Sequence, residues 1–188
     1  MSKLKVAVIV GSNRRESINR KLAEALVRLA GDRMEAHFIR IDDLPMYNID
    51  LEVERPATVK RFTAEVAATD ALLVVMPEFN RSIPAVLKNA IDWGSKPMDR
   101  NIWRGKLAAI TGTSPGAIGT AVGQQHLRQV LGVLGSLVMG GEAYISFKPD
   151  LIDESGEITN EGTRKFLQAY LDGFLDVAKK LSAPAMAS

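Results

Sequence analysis

The stretch "VAVIVGSNRRESINRKLA", Val6 to Ala23, decides the fold. Its first five residues form an apolar run without polar alternation, the pattern of a strand buried on both faces. Between Gly11 and Asn19 the chain then places two serines, two asparagines and two arginines. Only after that do Leu22, Leu26 and Leu29 set out one face of a helix. A plain strand-to-helix connection needs no more than a short turn. Gly11 permits that turn, while Ser12, Ser17 and Asn19 offer side-chain donors and Arg14 and Arg15 bring charge. The coming helix adds its free N–H groups and the positive end of its dipole. A phosphate monoester suits this donor set, at roughly 1.5–3 kcal/mol per charge-assisted bond. The same residues also make a solvated loop with Ser17 as helix N-cap, and the loop alone does not separate the two readings.

Working outward, apolar runs recur at Val6–Val10, Phe38–Ile41, Ala71–Val75, Leu107–Ile110 and Ala143–Ile145. Amphipathic segments lie between them: Phe62 and Val66 share a face, as do Leu127, Val130, Leu131 and Leu134. A short helix is expected from Pro84 to Trp93, with proline in its first turn. The last helix carries a wide stripe of Phe166, Leu167, Tyr170, Leu171, Phe174, Leu175, Ala178 and Leu181. Strands buried on both faces and alternating with helices predict an α/β fold with a parallel sheet covered on each side. Five such units fit a flavodoxin-like, doubly wound five-stranded sheet, in which ligands bind beyond the carboxyl ends of strands one and three. Residues 1–181 are read as one domain and 182–188 as a small-residue tail expected to fray.

Bulk properties exclude several classes. The chain of 188 residues has a formal net charge of +2 and no lysine/arginine run, which argues against nucleic acid as partner. It has no cysteine and only two histidines, His37 and His126, so no metal site is expected. No stretch approaches the roughly 20 apolar residues of a membrane span, and the N-terminus lacks the pattern of a secretion signal. A cytoplasmic protein without membrane insertion is expected. Asp42 and Asp43 read as turn material, and Trp93 and Trp103 as packing. The glycines of "LGVLGSLVMGG" read as close packing and a helix end.

Common nucleotide motifs fail on spacing. A dinucleotide fingerprint needs glycine two and five positions after Gly11, where Asn13 and Glu16 stand. No Gly-Lys-Ser/Thr of a P-loop is present either. The loop after the third strand, Met76 to Pro84, is stiffened by Pro77 and Pro84. Such a loop presents backbone groups at fixed positions to a planar polar ring; alternatively it is only a rigid turn.

Three stretches together resemble a known family: "GSNRRESINRKLA" from Gly11, "PEFNRSIPAVLKNAIDW" from Pro77 and "TSPGAIG" from Thr113. They are similar to the signatures of the NAD(P)H-dependent FMN reductases. Within that family "DDLPMYNID" and "HLRQVL" resemble the bacterial quinone reductases also described as chromate reductases. The resemblance runs from about Lys5 to Leu181. It implies that Ser12, Arg14, Ser17 and Asn19 hold the FMN phosphate. Pro77, Glu78, Phe79 and Asn80 would lie along the isoalloxazine ring, mostly through backbone, and Ser114 and Gly116 would support the ribityl chain and the ring's other edge. It also implies NAD(P)H as co-substrate, acceptors such as quinones, free flavins, azo compounds or chromate, and a homodimer or homotetramer. Gln125, His126, Arg128 and Gln129 are the candidate interface. Flavin N5 would carry the chemistry, with no catalytic side chain.

Three departures stand out. Phe79 replaces the usual tyrosine, Asn13-Arg14-Arg15 replaces leucine-arginine-lysine, and Gly119-Thr120 stands where a glycine pair is common. Two other classes stay open. A flavodoxin-type electron carrier would share fold and cofactor, but such carriers are acidic and aromatic around the ring, against a pI of about 8.9 here. A non-flavin module binding a phosphate ligand would purify colourless.

Overall fold

The computed structural model describes residues 3–182. The apolar run becomes β1, Leu4–Val10, and the helix after the polar loop is α1, Ile18–Ala30. There follow β2 (Met34–Ile39), α2 (Ala57–Ala67), β3 (Ala71–Val75), α3 (Ala85–Gly94) and β4 (Leu107–Ser114). The chain ends through α4 (Ala121–Val133), β5 (Leu137–Val138), β6 (Ala143–Ser146) and α5 (Glu161–Ser182). The strands run parallel in the order β2-β1-β3-β4-β5, with β6 also paired to β4. This is the flavodoxin-like order, and strand order reverses between β1 and β3 as expected.

The period-two geometry of a strand divides β1 and β3 between two cores. Val6, Val8, Val10, Leu73 and Val75 pack with Leu22 and Leu26 of α1 and Leu171 and Phe174 of α5. Ala7, Ile9, Leu72 and Val74 pack on the opposite face with Phe62 of α2, Leu87 of α3 and Leu127 of α4. Each fully buried Leu, Ile or Phe contributes roughly 1.5–3 kcal/mol by leaving water. Trp93 and Trp103 are packing residues, as read: both are buried, and their indole N–H groups donate to Pro45 O and Ile91 O.

The structure corrects several boundaries. The second strand starts at Met34 and ends at Ile39, not Phe38–Ile41. It is an edge strand whose Glu35 faces water, so its amino half shows no apolar run. β4 continues past Ile110 through Thr111-Gly112-Thr113-Ser114, where the two threonine hydroxyls donate to Ala143 O and Ile145 O. The fifth sheet position is shared by two short strands. Helix α4 does end within the glycine-rich stretch, with Gly135 left-handed, but two residues beyond it form β5. The stripe of α5 is narrower than read, since Phe166 and Leu181 are exposed. Of the expected tail, Ser182 closes α5 and 183–188 lie outside the described residues.

Splitting the fifth position leaves one rung of β4 open. β5 pairs with Leu107 and Ala108 and β6 with Thr111 to Ser114. Between them the hydroxyl of Tyr170 accepts from Ile110 N at 3.0 Å and donates to Ile110 O at 2.8 Å. A side chain thus takes the place of the missing backbone, and its burial lifts the Tyr170 pKa to about 12.

Candidate functional site

All three loops singled out in the sequence emerge at the carboxyl edge of β1, β3 and β4. Gly11 closes the first strand by donating to Val75 O at 2.9 Å. Its φ is not left-handed; what it supplies is room, because a Cβ there would lie 2.9 Å from Met76 Cβ. Ser17 is the N-cap of α1 and accepts from Arg20 N at 3.2 Å. Its hydroxyl hydrogen is left to donate. The N–H groups of Ile18 and Asn19 precede the helix's own ladder. Arg14 and Arg15 are exposed and make no ion pair among the described residues, whereas Arg20 pairs with Glu24 at 2.6 Å and lies over the Phe38 ring. Ser12, Arg14, Arg20, Phe38, Arg40 and Asp42 help to line a cavity of about 410 Å³ on the β2 side of this loop. The Arg40 guanidinium beside Asp42 holds its carboxyl below the usual range.

Asn19 also has a structural duty that the sequence does not show. It is 1% exposed, and its Nδ2 donates to Thr113 O at 2.9 Å while its Oδ1 accepts from Thr113 N at 2.9 Å. β3 leaves the sheet just before this level: its last pair with β4 is Val75 with Thr111. The Asn19 amide therefore replaces a rung that β3 no longer provides. What Asn19 has free for an anion is its backbone N–H and the second N–H of Nδ2.

The second loop is a tight hairpin. Phe79 N donates to Ser82 O at 3.2 Å and Ser82 N to Phe79 O at 2.9 Å. The two residues between them, Asn80 and Arg81, have φ of 50° and 62°. Left-handed backbone at both central positions is the signature of a type I′ turn. Phe79 is 58% exposed at the base of the turn. Pro77 precedes it, half-buried, and Pro84 serves as N-cap of α3.

Glu78 is bound downward instead. Its side chain is 7% exposed, and Oε2 accepts from Gly123 N at 2.9 Å, in the first turn of α4. Thr120 at that helix's N-cap makes no side-chain capping bond, so Glu78 supplies the anionic cap from another loop. Gly123 admits this approach, since a Cβ there would stand 3.1 Å from Ser82 O. Ser82 Oγ lies 3.1 Å from His126 Nδ1 on the same helix. The ring loop is thus fastened to α4 at two points.

In the third loop the Ser114 hydroxyl donates to Gly119 O at 2.6 Å and accepts from Gly116 N at 3.3 Å. Gly119 is left-handed at φ 58° and a Cβ there would meet Ile145 N at 3.0 Å, so the single glycine before Thr120 is the one the turn requires. Gly116 is exposed at the edge. On α4, Gln125 donates to Glu142 and Tyr144, and Arg128 to Met139 O and Gly141 O, so both side chains are engaged within the chain.

Two residues here escape sequence reasoning. The capping role of Glu78 needs its tertiary partner to be seen. Asn89 of α3 accepts from Tyr47 N at 2.7 Å and donates to Pro45 O at 3.0 Å, pinning the loop after β2. Its only signal was a polar residue on the apolar face of "AVLKNAIDW".

The donor set of the first loop fits a phosphate: hydroxyl and backbone donors, arginines without an ion pair among the described residues, and a helix N-terminus. Residues 4–150 match the family model described as NADPH-dependent FMN reductase. A 2-hydroxy-1,4-benzoquinone reductase of Burkholderia sp is 46% identical over 172 residues, 91% of this chain and 94% of that protein. A quinone reductase of Pseudomonas putida is 47% identical over 176 residues, 93% and 94% of the two chains. Among solved structures, the flavoenzyme NAD(P)H:(acceptor) oxidoreductase FerB of Paracoccus denitrificans superimposes with a TM-score of 0.91 at 44% identity, covering 94% of this chain and 98% of its own. Among the described residues, no helix is long and apolar enough to cross a membrane.

Proposed function

The chain belongs to the NADPH-dependent FMN reductase family, and from that premise we propose that it is an FMN-dependent NAD(P)H:acceptor oxidoreductase whose acceptors are quinones. The observation that carries this reading is the meeting of the three loops at one sheet edge, beside the reversal of strand order between β1 and β3. Ser12, Arg14, Ser17 and the backbone N–H of Asn19 would hold the phosphate. The backbone of Pro77, Glu78, Phe79 and Asn80 would lie along the ring, with Ser114 and Gly116 supporting the ribityl chain. When bound, FMN supplies the two-electron chemistry between a reduced nicotinamide and an acceptor.

The protein's own part is positional. Glu78 is committed to the α4 cap and His126 to Ser82, so neither is assigned a proton-transfer role. Residues 1–181 are taken as one FMN-binding domain, working in the cytoplasm as a homo-oligomer. Gln125, His126, Arg128 and Gln129 form part of the proposed interface; of these Gln125, His126 and Gln129 are exposed on α4. Closed symmetric assemblies are the common outcome for soluble chains.

Steady-state kinetics test the proposal. If donor and acceptor use one open face in turn, double-reciprocal plots at several fixed quinone levels are parallel, as in a ping-pong mechanism. A flat face with few converging polar groups also gives broad acceptor choice across quinones, free flavins, azo compounds and chromate. Intersecting lines refute the shared face, and a flavin-loaded protein that does not oxidise NADH or NADPH refutes the enzyme.

A further inference from the structure

The ring-loop hairpin carries a residue that its backbone does not favour. In a type I′ turn the second central position is the natural place for glycine, because a side chain there crowds the backbone. Asn80 tolerates the first position, since a short amide side chain bonds locally. Arg81 at φ 62° has no such compensation. Nor does packing explain it, because the Arg81 side chain is 66% exposed. Its one charged partner is Glu78 Oε1 at 3.3 Å, longer than the 2.7–2.9 Å typical of a charge-assisted bond. The other Glu78 oxygen is held by Gly123 N, so the carboxylate stays in place without Arg81. An exposed pair of this kind adds little to stability. A costly backbone with no structural return, at a binding edge, points to the side chain's use toward a ligand.

The surroundings indicate which ligand. Arg81 stands at the tip of the loop that follows β3, beside exposed Phe79 and reaching into solvent. Arg14 and Arg15, which make no ion pair among the described residues, lie in the first loop, which is already assigned to the cofactor phosphate. Reduced nicotinamide dinucleotides carry a pyrophosphate, and a hydroxyquinone is a vinylogous carboxylic acid that is an anion at neutral pH. Both redox partners can therefore present an anion beside the ring loop, and a planar guanidinium binds either oxyanion in bidentate fashion.

Resting on the reductase reading above, we propose that Arg81 is a specificity-determining residue that recognises the anionic group of the redox partners. Its left-handed backbone is the structural cost of presenting a guanidinium where glycine would fit best.

Arg81→Gly tests this directly, because it removes the charge and relaxes the turn together. The holoenzyme variant is expected to melt at or above the parent temperature and to keep its FMN affinity. Its KM for an anionic partner should rise about 10-fold or more, the loss of one charge-assisted contact, with kcat changing much less. Three arms locate the anion: NADPH varied at saturating 1,4-benzoquinone, neutral 1,4-benzoquinone varied at saturating NADPH, and 2-hydroxy-1,4-benzoquinone varied likewise. A rise for NADPH alone identifies the pyrophosphate, and a rise for the hydroxyquinone alone identifies the acceptor. Arg81→Gln removes the charge but keeps the strained turn, and should reproduce the KM change; Arg81→Lys should restore most of it. If both uncharged variants keep all three KM values within twofold of the parent, the proposal is overturned. Failure of the unaltered protein to bind FMN or oxidise NADPH would instead sink the reductase reading.

Discussion

Replacing Asn19 separates a structural rung from a phosphate ligand. Its amide makes two bonds of 2.9 Å to the backbone of Thr113, a residue with no solvent exposure. Asn19→Ala strands one N–H and one C=O in the interior, and each unsatisfied buried group costs roughly 1–3 kcal/mol. The total is therefore roughly 2–6 kcal/mol. At roughly 2–4 °C per kcal/mol for a chain of this size, Tm should fall by at least about 4 °C. Differential scanning calorimetry should be run without flavin, since bound ligand adds its own stabilisation. Asn19→Asp controls for the cavity, because it keeps the shape and the acceptor for Thr113 N but turns an anionic oxygen toward Thr113 O. It should destabilise at neutral pH at least as much as alanine. The preference for FMN over riboflavin should survive in whatever folds, because the backbone N–H of residue 19 is unchanged. A near-parent Tm for Asn19→Asp would refute the rung and return the side chain to the phosphate.

Arg14→Ala should show the complementary pattern: unchanged Tm in the absence of flavin, FMN binding weakened by roughly 1.5–3 kcal/mol, and riboflavin binding unaltered, all read by fluorescence titration. Equal affinity of the parent protein for the two flavins would sink the phosphate grip. Alkaline stability should report on Tyr170. Its pKa is raised to about 12 by burial, so the stability tied to its protonated form is intact below pH 10. It is then lost as pH rises toward 12, at about 1.4 kcal/mol per pH unit. Urea unfolding at pH 9, 10 and 11 should show that slope, and Tyr170→Phe should flatten it while lowering stability at every pH. Tyr47, held up by its bond to Glu52, titrates in the same direction and stays as background.

Period and spacing carried the fold a long way. The runs at Val6–Val10 and Ala71–Val75 are buried on both faces, so their apolar continuity could be read without a partner. The edge strand β2 was misplaced because Glu35 and His37 break the run, and β5 was missed because two residues carry no periodicity. The candidate site divides along a similar line. Which loops matter was legible from composition, since serine, asparagine, arginine and proline crowd into short connections. What each side chain touches was not. The side-chain partners of Asn19 and Glu78, Thr113 and Gly123, lie far along the chain. A local pattern holds no information on which backbone groups a distant strand leaves unpaired.

The broken fifth position gives the sheet a seam. A continuous strand has one register, and a single inserted residue would turn every later side chain to the opposite face. Here β5 and β6 each take their register from β4 separately, and Tyr170 holds the level between them. Of the connecting residues, Met139 still donates its N–H to Ala108 O of β4, and Arg128 of α4 holds Met139 O and Gly141 O. The register of β6 is thus not passed on from β5 through one continuous strand. At that seam, next to the third loop yet outside it, side chains of α4 and α5 carry what a continuous strand's backbone would otherwise carry.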